Sequence, residues 1–176
     1  MENCEKAPSE PLLHVPMYLH GLEGSPKGTK GAWMTERYGA SAPEMPAKSG
    51  VEDAFTRCVE VARKAVHAER PSLIVGSSYG GAVLMKLVLD GDWSGPCVFL
   101  AQAAVKLGVG RIVPSHVPAI LIHAPDDEIV PYEDSALVAR ESGPLVELWT
   151  VRGDHRLHHI IEDGTLERAV NQLLGL

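Results

Sequence analysis

Short apolar runs alternate along this chain with longer segments in which apolar residues recur every three or four positions. Short, almost wholly apolar runs are typical of strands buried on both faces of a parallel sheet. Four runs fit this description, at residues 12–19, 73–77, 97–101 and 119–123. The run at 146–151 alternates partly with polar residues and predicts a strand nearer the sheet edge. The proline-containing segment 40–46 fits an edge strand or a loop.

The longer segments predict helices between these strands. Residues 51–66 repeat apolar side chains at helical spacing, and Ser49 and Glu52 form a plausible capping box before them. Ser25-Pro26 is a typical helix start, for a helix that runs to about residue 38. Further helices are predicted at residues 79–89, 132–140 and 158–174.

Strands that alternate with helices predict βαβ units. We therefore expect a single α/β domain over residues 12–176, with a mainly parallel sheet and helices on both faces. Only the short segment 101–119 leaves room for a cap, so the cap is expected to be minimal and the pocket open. Residues 1–11 are polar and are expected to form a disordered leader.

Composition and charge narrow the function classes. The chain has 176 residues, of which 45% are hydrophobic and 22% charged, as in soluble globular domains. Its 23 acidic and 16 basic residues give a net charge of −7, which argues against nucleic-acid binding and against docking on an anionic membrane. No signal peptide or membrane-spanning run is seen, so we expect a cytoplasmic protein. Cys4, Cys58 and Cys97 are widely spaced, which fits a reducing compartment and no zinc site.

A G-x-S-x-G motif at residues 76–80 is the most informative local pattern, with Ser78 at its centre. It follows an apolar run and precedes an amphipathic segment, as a nucleophile elbow between strand and helix requires. Gly76 and Gly80 would remove Cβ atoms where strand and helix approach closely. The elbow would expose Ser78 Oγ near a helix N-terminus, where developing negative charge is favoured.

Acid and base candidates follow two later strands. Asp126, Asp127 and Glu128 come after the run 119–123, and His155 comes after the run 146–151. The carboxyl ends of parallel strands share one edge of a sheet, where ligands bind in open α/β folds. A serine hydroxyl needs a base to accept its proton before it is a good nucleophile. The order Ser, Asp, His is the one expected for this strand–turn–helix arrangement.

Four segments together resemble the α/β-hydrolase superfamily, especially compact bacterial esterases of the YqiA type. They are Y-L-H-G-L-E-G-S-P at 18–26, the elbow at 76–80, H-A-P-D-D-E-I-V-P at 123–131 and G-D-H-R at 153–156. The resemblance implies an α/β-hydrolase fold with Asp127 as the acid and His155 as the base. Ala124 stands where the family pattern has glycine, and Asp126 remains a rival for the acid role.

The same resemblance implies further site residues. The backbone N–H groups of Tyr79 and Leu22 are expected to form the oxyanion hole, and His20 and Gly21 are expected to contribute to substrate binding. No cofactor or metal is implied, because His158 and His159 lack carboxylate or cysteine partners at matching spacing.

The resulting hypothesis is a serine hydrolase that cleaves small or short-chain carboxylic esters through an acyl-enzyme. A thioesterase or small amidase with the same three residues is the alternative enzyme, and a non-catalytic ligand-binding module is the alternative outside enzymes. The expected partner is a small-molecule acyl ester, and the sequence predicts no oligomeric state.

Overall fold

Five parallel strands form one sheet in the computed structural model, which describes residues 14–176. Their order across the sheet equals their order along the chain, β1 to β5. The predicted leader at residues 1–11 lies outside the described residues. The strands are β1 Met17–Leu19, β2 Ile74–Ser77, β3 Cys97–Leu100, β4 Ala119–His123 and β5 Val146–Thr150.

The two predicted edge segments lie at the two edges of the sheet. Residue 41 pairs with Met17 in an isolated parallel bridge beside β1, inside the segment 40–46. Strand β5 pairs only with β4, and its residues are half-buried or exposed, whereas β3 and β4 are buried throughout. The partial alternation of polar residues in β5 therefore reflects its edge position.

Six helices accompany the strands in the described part of the chain. The predicted helix at 79–89 is confirmed at both ends, and that at 132–140 extends by one residue. The helices are α1 Thr29–Tyr38, α2 Ala54–Glu69, α3 Tyr79–Leu89, α4 Tyr132–Glu141, α5 His159–Glu162 and α6 Thr165–Leu174.

The sheet separates two hydrophobic clusters, because successive side chains of a strand point to opposite faces. Met17, Ile74 and Phe99 belong to the cluster beneath α2, α3 and α4, which also contains the buried thiols of Cys58 and Cys97. Their alternating neighbours along the strands belong to the second cluster, which α1, α5 and α6 cover. Both faces of the sheet are therefore covered by helices, as predicted.

Two predicted helix starts are wrong. Ser25-Pro26 forms a turn in which Gly28 N–H donates to Ser25 O at 3.1 Å, and α1 begins only at Thr29. The Ser49 amide donates to Glu23 Oε1 at 2.7 Å, so Ser49 belongs to the loop, and α2 begins at Ala54 without a side-chain cap. At Ser25 a local turn replaces the predicted capping pattern, and at Ser49 a tertiary contact with Glu23 does so.

The single helix predicted at 158–174 is also wrong, since two helices occupy this segment. Helix α5 ends at Glu162, and Gly164 has a φ of 75°, a left-handed conformation that interrupts the helix. Helix α6 begins at Thr165, whose N–H donates a hydrogen bond to Asp163 Oδ1 at 2.9 Å.

Candidate active site

Ser78 lies on a strained turn between β2 and α3. Its φ of 52° and ψ of −113° fall outside the ordinary regions for an L-residue. The Ser78 N–H donates to Leu100 O at 2.8 Å, and the Ser78 carbonyl accepts hydrogen bonds from Gly81, Ala82 and Ala103. These contacts hold the backbone of the elbow while the hydroxyl points into a cavity that Ser78 lines.

Two glycines make this turn sterically possible. A Cβ at Gly80 would lie 2.1 Å from Leu19 O, and one at Gly76 would lie 2.7 Å from Gly80 O. Gly81 is also constrained, since a Cβ there would lie 2.8 Å from Gln102 Cβ. The absence of side chains therefore lets α3 begin directly against β1 and β2.

The structure brings Ser78, His155 and Asp127 into one hydrogen-bonded series. His155 Nε2 lies 2.8 Å from Ser78 Oγ, and His155 Nδ1 lies 2.7 Å from Asp127 Oδ2. The three residues come from the segments that follow β2, β5 and β4, as the sequence predicts. With Nδ1–H donating to the carboxylate, Nε2 is free to accept the proton of the serine hydroxyl.

Asp127 is held by four hydrogen-bond donors. Its Oδ1 accepts the N–H groups of Ile129 and Val130, both at 2.8 Å, and its Oδ2 accepts from His155 and from His123 at 2.9 Å. Burial opposes ionisation, but the bonds from Val130, His155 and Ile129 outweigh it and lower the pKa of Asp127. Its rival Asp126 is exposed and has no side-chain hydrogen bond to a described residue.

His123 is a site residue whose individual role the sequence did not reveal. It is wholly buried, and its Nε2–H donates to Asp127 Oδ2. Its Nδ1 lies 2.7 Å from Ser135 Oγ, which in turn lies 3.3 Å from Gln102 Nε2. Burial lowers the pKa of His123 despite the opposing effect of Asp127. The neutral ring therefore donates to Asp127 and accepts from Ser135.

The two residues whose amides are expected to form an oxyanion hole line the same cavity. Tyr79 and Leu22 both line the cavity of about 560 Å³ that contains Ser78. Neither backbone N–H donates a hydrogen bond to another residue in the range 14–176. Both donors are therefore available to a ligand, and Tyr79 is also the first residue of α3.

His20 and Gly21, although adjacent in the chain, have different surroundings in the structure. Gly21 lines the cavity that contains Ser78, whereas His20 is 2% exposed and lines neither this cavity nor its neighbour. His20 Nδ1–H donates to Gly21 O at 2.9 Å, and its Nε2 accepts the Met45 N–H at 3.1 Å. Both ring nitrogens are thus used to hold the loop after β1, and the substrate contacts of His20 and Gly21 stay predictions.

A second cavity, of about 880 Å³, adjoins the first. Leu22, Tyr79 and Leu107 line both. Leu107 belongs to the segment between β3 and β4, which contains turns but no helix in the structure and therefore no helical cap. Within residues 14–176 no cluster of three or more histidine, cysteine or acidic side chains is arranged to hold a metal ion.

Comparisons with known proteins agree with this architecture. No protein-family model matches the chain, and no curated protein matches its sequence. Alpha/beta hydrolase domain-containing protein 10 from mouse superposes with a TM-score of 0.74 at 15% identity, over 92% of this chain and 89% of that one. The chain has the α/β-hydrolase fold.

Two further structures with the α/β-hydrolase fold extend this likeness. A protein of Xanthomonas campestris pv. campestris, named as a hydrolase of the alpha/beta superfamily, gives a TM-score of 0.71 at 18% identity, over 92% of this chain and 97% of that one. Est1E from Butyrivibrio proteoclasticus superposes with a TM-score of 0.68 at 16% sequence identity, over 90% of this chain and 85% of that one. The fold class predicted from the sequence is therefore confirmed, and the likeness to YqiA-type esterases stays a prediction.

The described part of this α/β-hydrolase fold contains no helix that is both long and apolar enough to cross a lipid bilayer.

Proposed function

We propose that this protein is a serine hydrolase that cleaves carboxylic esters through an acyl-enzyme. The observation that carries the proposal is the unbroken series from Ser78 Oγ through the His155 ring to the Asp127 carboxylate, with contacts of 2.8 and 2.7 Å. An unaligned or distant base would leave the serine hydroxyl a weak nucleophile. The hydrolase and esterase names of several structural neighbours support the same reaction class.

In acylation, Ser78, His155 and Asp127 each have a separate role. Ser78 Oγ attacks the ester carbonyl carbon, and its proton passes to His155 Nε2. The carbonyl electron pair moves to oxygen, where the Tyr79 and Leu22 N–H groups stabilise the charge. When the carbonyl re-forms, the bond to the alcohol oxygen breaks, and His155 returns its proton to that oxygen. Asp127 keeps the ring in the required tautomer and stabilises its cationic form.

Deacylation repeats these steps with water. His155 takes a proton from water as the water oxygen attacks the acyl-serine carbonyl. Collapse of the second tetrahedral species releases the carboxylic acid and returns the proton to Ser78. Every proton is therefore handed between Ser78, His155, the substrate and one water molecule, and His155 mediates each of these transfers.

The substrate is proposed to be a small-molecule ester with a short acyl chain. The absence of a helical cap over residues 101–118 and the −7 charge of the chain support a small, accessible substrate over a nucleic acid. Thioester or amide cleavage by the same residues is the alternative, and a cytoplasmic location stays a prediction.

A fluorophosphonate probe tests the nucleophile. We expect covalent labelling of the wild type, none of Ser78→Ala and full labelling of Ser115→Ala, whose exposed serine lines neither cavity. A non-catalytic binding module would give no labelling of any of the three proteins.

Esters of p-nitrophenol test the reaction. The wild type should hydrolyse the acetate and the butyrate, and Ser78→Ala should reduce both rates to background. Parallel assays with an acyl thioester and an anilide establish the preferred leaving group. A folded wild-type protein that leaves both nitrophenyl esters intact would remove the esterase assignment.

A further inference from the structure

The cavity that contains Ser78 is lined by cationic side chains and by no acidic ones. Lys30, Lys106 and Arg156 line it, together with His158, and neither Asp nor Glu is among its lining residues. The chain as a whole has 23 acidic and only 16 basic residues. The charge of the cavity wall is therefore opposite in sign to the net charge of the protein.

The two lysines are attached to the loops that carry the acid and the base. Lys30 Nζ donates to Arg156 O, next to His155 in the chain, and Lys106 Nζ donates to Ile129 O, two residues after Asp127. An ammonium group has three donors, so one bond to a carbonyl leaves the others available. These contacts hold both ammonium groups against the loops that carry the acid and the base, and both lysines line the cavity that contains Ser78.

Nearby acidic residues do not neutralise this wall from within the cavity. Glu128 is exposed, and its carboxylate accepts the His155 N–H at 3.3 Å. Glu23, in the loop after β1, accepts the Ser49 N–H at 2.7 Å and lines neither cavity. Asp154 is exposed and acts on Lys30, and the half-buried Asp134 of α4 acts on Lys106, but neither of these carboxylates lines the cavity.

Lys30 gives an additional physical reason for an anionic ligand. Burial lowers its pKa, with Asp154 acting in the opposite direction, because water is partly excluded from the ammonium group. A negative charge bound in the cavity would compensate for this lost hydration. Positive side chains in a concave site also raise the local concentration of anions and steer them toward it.

We propose that the natural substrate is an ester whose acyl part carries a second, anionic group, of carboxylate type, which binds to Lys30, Lys106 and Arg156. This inference rests on the proposed ester hydrolysis and names its substrate class. The ester carbonyl lies at Ser78 Oγ, and the carboxylate lies on the cationic wall, so the charge orients the acyl chain before attack.

Three esters of equal backbone length test this preference. Monomethyl succinate carries the carboxylate, methyl succinamate replaces it with a neutral amide, and methyl butyrate has a methyl group there. We expect kcat/KM at low salt to be at least about tenfold higher for monomethyl succinate than for either neutral ester, equivalent to one close charge pair. Salt at about 0.5 M should reduce this ratio, because counterions screen the wall.

Two variants and a control assign the preference to the cavity wall. Lys106→Gln and Arg156→Gln should each lower the ratio of monomethyl succinate to methyl succinamate turnover several-fold. Lys64→Gln removes an exposed charge of α2 that lines neither cavity, and it should leave the ratio unchanged.

The outcomes separate this inference from the proposed function. Hydrolysis of all three esters at similar efficiency, or faster hydrolysis of the neutral pair, would overturn the anionic substrate and leave the serine esterase intact. Failure of all three, together with no fluorophosphonate labelling of Ser78, would overturn both. A ratio that falls equally in Lys64→Gln would show a general charge effect and would also overturn the assignment to the wall.

Discussion

The Asp127 carboxylate is the residue on which the proposed chemistry depends most closely. Each of its oxygens accepts two hydrogen bonds, so its orientation is fixed from both sides. In Asp127→Asn the oxygen would stay with the two backbone N–H groups, and the amide would face His155. His155 would then adopt the tautomer with hydrogen on Nε2, which cannot accept the serine proton.

We therefore expect Asp127→Asn to lower kcat by roughly a thousandfold or more. Asp126→Asn is the matched control, because its side chain is exposed, and it should keep kcat within about twofold of the wild type. Steady-state kinetics on p-nitrophenyl butyrate measures both. The reverse order would transfer the acid role to Asp126.

His123 is expected to act as a positioning residue through Asp127. In His123→Phe the second donor to Asp127 Oδ2 is lost, so we expect kcat to fall by about ten- to a hundredfold while KM changes little. His123→Gln keeps an N–H donor and should recover part of the loss. Circular dichroism and thermal melting on the same samples establish that the proteins are folded.

An equal loss in both His123 variants, or a change in KM alone, would assign this residue to the stability of the fold. Ser135→Ala offers an independent comparison, because it removes the partner of His123 Nδ1 and leaves the bond to Asp127 in place. Its kcat should lie closer to that of the wild type than the kcat of His123→Phe.

The sequence identified the site residues whose position follows from chain order. Ser78, Asp127 and His155 each follow a strand of a parallel sheet, and such strands end at one edge. The partners of His123 could not be predicted, because Ser135 belongs to a helix and Gln102 to an irregular segment. The loop contacts of His20 were likewise hidden, since its bond to Met45 depends on how two distant segments pack.

At the scale of elements, the elbow depends on the close approach of α3 to β1. In Gly80→Ala the new Cβ would meet Leu19 O at 2.1 Å, and neither backbone can move without disturbing the sheet. We expect the free energy of unfolding to fall by roughly 1–3 kcal/mol or more, as in overpacked cores. Denaturant unfolding measures this change.

Gly143→Ala is the control for this prediction. A Cβ at Gly143 would lie 3.4 Å from Ser115 Cα, an ordinary contact, so we expect a change of about 0.5 kcal/mol or less. Equal stability of the two alanine variants would contradict the account of the elbow.

The elements that the sequence predicted well are those with a strong burial pattern. Helix α3 follows from its apolar residues and its glycine-rich start, and β4 follows from five consecutive buried positions. Helix ends were predicted less well, because capping residues compete with loop contacts. Ser49 binds Glu23 in place of capping α2, and Gly164 divides one predicted helix into two.

At the scale of the whole molecule, the pH dependence of folding carries information about His123. Burial lowers the pKa of this imidazole below its usual value of about 6.5, against the pull of Asp127. As pH falls toward about 5, the unfolded chain therefore takes up a proton that the folded protein excludes. Stability rises with pH wherever the unfolded chain binds more protons, so this contribution is present at pH 7 and is lost on acidification.

Replacing His123 with glutamine removes that proton uptake, so the variant should lose less stability between pH 7 and 5 than the wild type does. Urea unfolding at several pH values measures both curves. His116→Gln removes an exposed histidine and should keep the pH dependence of the wild type. Parallel curves for the wild type and His123→Gln would mean that the buried ring does take up a proton in the folded state. The assignment of a neutral His123 that donates to Asp127 would then be abandoned.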